Sequence, residues 1–318
     1  MSSKFREFDC SRIKAHEVGK QPRKVEIGSA ASAWRAGGTI TGLISSFPDI
    51  LAGKDIKTAI TAISDAVREK RPIILSIGAH VIKCGLSPVI ADLIARGIVT
   101  GLAMNGAGAI HDTEIALFGR TSEDVVAGLK EGRFGMGLET AEFVNSAAVA
   151  GRDLSQGFGE SLGERLIKSN APGISSSLLV AASIAGIPAT VHVGIGTDIV
   201  HMHPGADGSA IGDCSMRDFR IFAASIEDLM QRGGVLLNVG SAVVLPEVAL
   251  KSFAMGTNVG CNLDKVFAVN LDFIRQYRSE EQIVRRVRTL GGRSVSLVGH
   301  HEIMLPLIAA AVIESQEG

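Results

Sequence analysis

The segment RPIILSIGAHVIKCGLSPVIADLIARGIVTGLAMNGAGAIHDTEIALFG, residues 71–119, restricts the folds open to this chain more than any other stretch. Its first run, RPIILSIGAH, is short, apolar throughout and ends in glycine, which reads as a buried strand opening into a loop. LSPVIADLIARG follows with apolar residues at helical spacing and a glycine stop. IVTGLAM reads as a second strand, and NGAGAIHDTEIALFG as a glycine turn entering a helix. Strand, helix, strand, glycine turn and helix in that order are the grammar of a parallel βαβ layer.

The same grammar continues to the C-terminus. PATVHV, GGVLLNVG, KVFAVNLDF and SVSLVG read as further strands, and SAVVLPEVALKSFA, SEEQIVRRVRTLGG and HHEIMLPLIAAAVIES as helices. Earlier helices are expected at roughly 40–52 and 54–69, and another over 216–232. Residues 121–170 read as helical throughout, opening on the N-cap of TSEDVVAGLKEG. The expectation is an α/β chain with a Rossmann-like, doubly wound parallel sheet of about six strands, in a single domain over 41–318 with a helical insertion at about 121–170. Residues 1–40 read as a peripheral segment that carries the only tryptophan, Trp34.

Composition narrows the class. Apolar residues make up 46%, charged residues 20% and the net charge is −1, so nothing biases the chain toward nucleic acid or an anionic membrane. Four scattered cysteines without a CxxC point away from a disulfide framework and toward a reducing, cytoplasmic setting. The N-terminus is too charged for a signal peptide. The uncharged stretch 169–197 is interrupted by Pro172, Gly173, Gly186 and Pro188, and reads as a buried helix–turn–strand rather than a membrane span.

Ligands of open parallel sheets bind at the carboxyl ends of the strands. Five stretches fall there: 78–85, 105–114, 191–213, 238–242 and 299–302, together holding seven of the eight histidines. The glycine turns admit two readings, phosphate binding through close backbone N–H groups or simple closure of tight βα turns, since GAGAIH and GIGTDI both lack the third glycine of the dinucleotide fingerprint. The loop 191–213 carries His192, His201, His203, Asp198, Asp207 and Asp213. His201-x-His203 with Asp198, Asp207 or His192 offers metal ligands, or else histidines that hydrogen-bond backbone and carboxylates. His300–His301–Glu302 lacks the HExxH spacing, and no residue is assigned to a metal. Asp112 and Glu114 are either paired carboxylates or the acidic first turn of a helix. Cys84 beside Lys83 is either a nucleophile or a buried thiol.

Taken in order, these motifs resemble the deoxyhypusine synthase family. SIGAHVIKCGLSPVI resembles that family's T-S-N-L-I-S-S-G-I-x-x-T-I segment, LIARGIVTGLAMNGAGAIHDTEIAL its T-A-G-G turn, ADGSAIGD its D-G-S-L-G-D, and GGVLLNVGSAVVLPEV its strand ending in G-G-G-V-V. The resemblance implies a Rossmann-like NAD site in a homotetramer with active sites between subunits. It places Asn105, Gly106 and Ala107, then Asp207, Gly208 and Ser209, then Gly240 and Ser241 against the cofactor, with Asp213 toward a polyamine and Glu114, or in its stead Asp112, in the acidic place after the glycine turn. His80 and Lys83 join the cofactor-binding set from the first βα turn. The family's D-E-A-V-S-W-G-K lysine loop has no counterpart in SEEQIVRRVRTLGGRSVSL, so authentic deoxyhypusine synthesis is not expected, and Lys83 is the lysine placed to substitute. NGAGAIHDTEIALFG is also similar to the G-N-A-L-A-V-H-D-x-E segment of NAD-dependent ornithine cyclodeaminases, with His111, Asp112 and Glu114 matching.

The leading expectation is an NAD-dependent transferase or cyclodeaminase-type lyase. It acts on an amine, polyamine or basic amino acid through transient hydride transfer to bound NAD and an imine intermediate, with Asp213 and Glu114 holding the cation and His111, His203 or His300 moving the proton. The alternatives are a metal-dependent hydrolase built on the 192–203 histidines and a non-catalytic NAD-binding protein.

Overall fold

In the computed structural model, which describes residues 4–317, six strands form one all-parallel sheet. They are β1 Ile73–Ile77, β2 Gly101–Asn105, β3 Ala189–His192, β4 Gly234–Val239, β5 Val266–Asp272 and β6 Arg293–Val298, in the order β3-β2-β1-β4-β5-β6. The chain starts in the middle of the sheet, winds outward to β3, returns to β4 beside β1 and winds outward again. This is the doubly wound α/β fold, with its reversal point between the carboxyl ends of β1 and β4. Registers such as Ile77↔Met104 and Ile77↔Val239 bring those ends level.

The inner strands are buried along their whole length because both faces of the sheet are covered. Alternate residues therefore enter two different cores. Leu75, Ile77, Val235, Val239, Val269 and Leu271 pack into the larger one, with the helices Leu51–Arg68, Ser87–Ala95 and Leu178–Ala185. Ile74, Leu236 and Ala268 point the other way, against Phe222, Ile226 and Leu229 of the helix Gly208–Arg232 and Phe253 of the helix Val244–Asn258.

Three element boundaries differ from the expectation. The first helix ends at Ser46 and the next starts at Leu51, because Pro48 interrupts the pattern read as 40–52. Residues 121–170 divide into helices Val125–Lys130, Leu138–Leu154 and Phe158–Ser169, separated by turns rich in glycine. The helix read as 216–232 begins at Gly208: Asp207 caps it by accepting from Ser209 N (2.9 Å) and Ala210 N (3.1 Å), so Gly208–Asp213 is helical rather than loop.

One buried carboxylate ties the layers together. Asp218, on that long helix, accepts from Val191 N of β3 at 2.7 Å and from Gly159 N at 3.0 Å. Gly159 itself lies against β3, where a Cβ would stand 2.1 Å from the Ala189 carbonyl oxygen. Residues 4–39 form only short turns and are almost entirely exposed. No helix among the described residues is long and apolar enough to cross a membrane.

Candidate active site

β2 ends at Asn105, whose side-chain oxygen accepts from Gly108 N at 3.0 Å and caps the helix Gly106–Phe118. His111 and Glu114 are three residues apart on that helix and so share a face. Both are largely withdrawn from solvent, with side chains 18% and 13% exposed, and His111 Nδ1 lies 3.8 Å from Glu114 Oε2.

The helix stops at Gly119, which takes the left-handed conformation (φ 67°) and turns the chain back so that Thr121 reaches both side chains. Thr121 Oγ1 is 2.6 Å from His111 Nδ1 and donates to Glu114 Oε2, while Thr140 Oγ1 donates to Glu114 Oε1 at 3.2 Å. A hydroxyl has one proton, so Thr121 in giving it to Glu114 must accept from His111 Nδ1–H. That sets the tautomer and leaves Nε2 as the basic nitrogen of His111. Burial pushes the Glu114 carboxyl up, but the neighbouring His111 imidazole and hydrogen bonds from Thr121 and Thr140 outweigh it, and the net effect is a lowered pKa. Glu114 is therefore a sheltered anion at neutral pH.

His111 and Glu114 line a cavity of about 200 Å³ with Lys83, Ala107, Phe134 and Asp198. Lys83 comes from the turn after β1, Ala107 from the turn after β2 and Asp198 from the loop after β3, so the cavity sits over the carboxyl ends of three neighbouring strands. Asp198 is 7% exposed, and burial, offset by His201, raises its pKa. Its carboxylate packs against Gly106, where an added Cβ would stand 1.9 Å from Oδ2. It thus takes the anion's place at the N-terminus of the helix Gly106–Phe118.

The remaining assigned residues lie elsewhere. Asp207 pairs with Arg152 at 2.7 Å, and hydrogen bonding from Ala210 N and Arg152 lowers its pKa. Gly208 and Ser209 form the exposed first turn of their helix, and Asp213 pairs with Arg217 at 3.2 Å on the helix surface. His203 Nε2 bonds to the Gly135 carbonyl at 2.8 Å and lines a neighbouring groove of about 900 Å³ with Phe143, Arg165 and Gly205, across the Phe134–Gly135 turn from the cavity. His300 is exposed beside Glu302.

The loops after β1 and β4 touch through Gly78 and Gly240: a Cβ on Gly78 would stand 1.9 Å from the Gly240 carbonyl oxygen. Ser241 is buried, with its hydroxyl accepting from Leu245 N at 3.3 Å. His80 stands at the mouth of that crevice, in edge contact with Phe273 and His301.

The histidines of 192–203 do not converge. His192 is buried under Phe222 with Nε2 3.0 Å from Thr190 Oγ1, and burial lowers its pKa to about 4. His201 Nδ1 accepts from Gly196 N at 3.2 Å and Asp198 N at 3.3 Å. Asp112 does cap a helix, but a distant one: it accepts from Ser177 Oγ, Leu178 N and Leu179 N at the start of Leu178–Ala185. Cys84 is half-buried, and burial together with Glu302 pushes its thiol up, which is contrary to an activated nucleophile. Thr121 and Thr140, which polarise Glu114, escape a sequence reading because an isolated threonine in a helix-rich stretch has no distinguishing pattern.

No protein-family model matches the chain, and no curated protein matches it in sequence. Solved structures of the same fold do. The ternary complex of AgrE with ornithine and NAD+ superposes with a TM-score of 0.53 at 14% identity, covering 81% of this chain and 32% of that one. A conserved putative LOR/SDH protein from Methanococcus maripaludis S2 gives 0.53 at 14%, covering 96% and 76%. A putative deoxyhypusine synthase from Entamoeba histolytica gives 0.50 at 13%, covering 87% and 94%. The chain spans about a third of the length of AgrE. These likenesses establish the fold.

Proposed function

We propose that the chain is an NAD-dependent enzyme acting on an amine, polyamine or basic amino acid, with the cavity between β1, β2 and β3 as its substrate site. The observation that carries this reading is the hydrogen-bonded series His111–Thr121–Glu114, whose His111 and Glu114 line a small cavity together with Lys83. A half-buried, ionised carboxylate suits a cationic substrate by charge, and its threonine partners leave oxygen lone pairs free for a substrate ammonium. His111 Nε2 is the group placed to take and return a proton. Lys83 complements the α-carboxylate of an amino-acid substrate, while Glu114 complements the ammonium.

A cavity of about 200 Å³ suits a small amine but not a dinucleotide; the groove of about 900 Å³ falls within the usual range of cofactor sites, roughly 300–1,000 Å³. By size it admits such a ligand, but Glu139, Glu142 and Asp153 also line it and disfavour a pyrophosphate, which leaves few groups in its favour. Arg165, stacked over Phe143 at 5.0 Å, offers a cation, His203 a polar edge, and Gly205 open space where a Cβ would stand. Asp207–Ser209, assigned to the cofactor by the family resemblance, follows directly. NAD, when bound, supplies the hydride acceptor for oxidation of an amine carbon. The same resemblance supports a homotetramer with active sites between subunits, whose mass light scattering tests, and the scattered cysteines suit a cytoplasmic setting. Mass spectrometry of the small molecules released from the purified protein tests the cofactor: NAD or NADH supports the reading, whereas failure of the protein to bind added NAD overturns it.

A further inference from the structure

A second cluster lies on the other side of the turn after β1, and neither the proposed amine site nor the histidine loop uses it. His80 and Cys84 are four residues apart and so emerge on one face of the turn that begins with the helix Ala79–Lys83; Cys84 Sγ is 3.4 Å from His80 Nε2. His301 opens the last helix, after β6, and is 1% exposed. One ligand atom from each of the three lies within 4.8 Å of the other two.

His301 is the informative member. Neither of its ring nitrogens has a hydrogen-bond partner, although burying an unpaired polar group costs about 1–3 kcal/mol. The surroundings nevertheless fix the ring firmly. Phe273 and His80 meet it edge-on at 5.9 Å and 5.8 Å, and Gly240 approaches so closely that a Cβ there would stand 2.9 Å from Cε1. Asp272 Oδ1 lies 3.6 Å from Nε2. A carboxylate beside an imidazole that also stands within reach of two further ligand residues is an arrangement found around metal-binding histidines.

We propose that His80, Cys84 and His301 bind a transition-metal dication of the zinc type at the crevice between the carboxyl ends of β1 and β4. Two imidazoles and a thiol favour Zn²⁺ or Co²⁺ over the hard cations Mg²⁺ and Ca²⁺. Bonds of about 2.0–2.3 Å draw the three ligand atoms closer together than the 4.8 Å within which they stand, a movement that the exposed His80 side chain can supply. On binding, the Cys84 thiol loses its proton to solvent and the thiolate bonds the metal. Three protein ligands at a partly open crevice leave one position for water or another small ligand. The spacing rules of metal motifs miss the site because His80-x₃-Cys84 and His301 come from opposite ends of the sequence.

The test is a Co²⁺ titration of the untagged, chelator-treated full chain, followed by absorption and by competition with Zn²⁺. The expected result is a thiolate-to-cobalt charge-transfer band that saturates at one equivalent and is displaced by Zn²⁺. Cys84→Ser should abolish the band. His80→Ala, an exposed change that leaves the fold intact by circular dichroism, should weaken Co²⁺ binding at least roughly tenfold, and Asp272→Asn by roughly 10–100-fold. Cys10→Ser and Cys261→Ser should leave it unchanged. Absence of a stoichiometric band, or a band that survives Cys84→Ser, overturns the proposal. The readout is independent of NAD and of any amine, so its outcome leaves the proposed function standing or falling separately.

Discussion

At the residue scale, the candidate site depends on how one threonine hydroxyl is shared. Thr121 donates to Glu114 and accepts from His111, so it orients the base and holds the carboxylate's charge together. Thr121→Val keeps the shape and removes both bonds; the expected result is a kcat roughly 100-fold lower, of the size of a general acid–base contribution, with Thr121→Ser restoring most of it. Lys83 supplies a second discrimination. Lys83→Ala should raise KM for a basic amino acid roughly tenfold and leave KM for a polyamine, which has no carboxylate, nearly unchanged. Much of this site was legible beforehand: a glycine turn followed by His111 and Glu114 at helical spacing puts both on one face wherever the helix lies. The threonines were not legible, because Thr140 is distant in sequence and only the turn at Gly119 shows where Thr121 goes.

At the scale of elements, carboxylates at helix N-termini organise the sheet's upper edge. Asp112 holds Leu178–Ala185, Asp207 holds Gly208–Arg232, and Asp198 sits against the start of Gly106–Phe118. Asp112 is fully buried, and burial, partly offset by Ser177, Leu178 and Leu179, raises its pKa to about 6. Asp112→Ala leaves those donors unpaired and should cost roughly 2 kcal/mol, read as a lower midpoint in urea unfolding. The helices themselves follow from apolar spacing, but where Gly208–Arg232 begins does not. A run as rich in glycine as GADGSAIGD reads as loop until Asp207 is seen capping it. With that boundary moved, Asp213 lies on the surface of a helix and pairs with Arg217.

At the scale of the whole molecule, the strand–helix alternation dictated both the parallel sheet and its two cores, because runs buried on both faces leave no alternative to helical layers on each side. The buried charges make its stability depend on pH. Burial lowers the folded-state pKa of His192 from 6.5 to about 4, so the unfolded chain takes up a proton that the folded chain refuses. Its contribution is present above pH 6.5 and is lost as the pH falls toward 4. Asp112 and Asp218, raised to about 6 and about 7, act oppositely: their contributions are present at low pH and are lost as the pH rises through those values. Comparison of His192→Gln with the parent chain therefore isolates the histidine. Relative to the variant, the parent should lose about 3 kcal/mol between neutral pH and pH 4.

The account centres on one sheltered anion that receives a cationic substrate in an NAD-dependent reaction. The most direct measurement is the change in NADH absorbance on adding polyamines and basic amino acids to the NAD-loaded protein, for the parent chain and for Glu114→Gln. The account predicts an amine-dependent NADH absorbance in the parent, transient where the hydride returns to the substrate within the turnover, and a rate of its appearance at least roughly 100-fold lower in the variant, about 3 kcal/mol for removing one partner of a half-buried charge pair. Equal turnover by Glu114→Gln, or no change in absorbance with any amine, would contradict it.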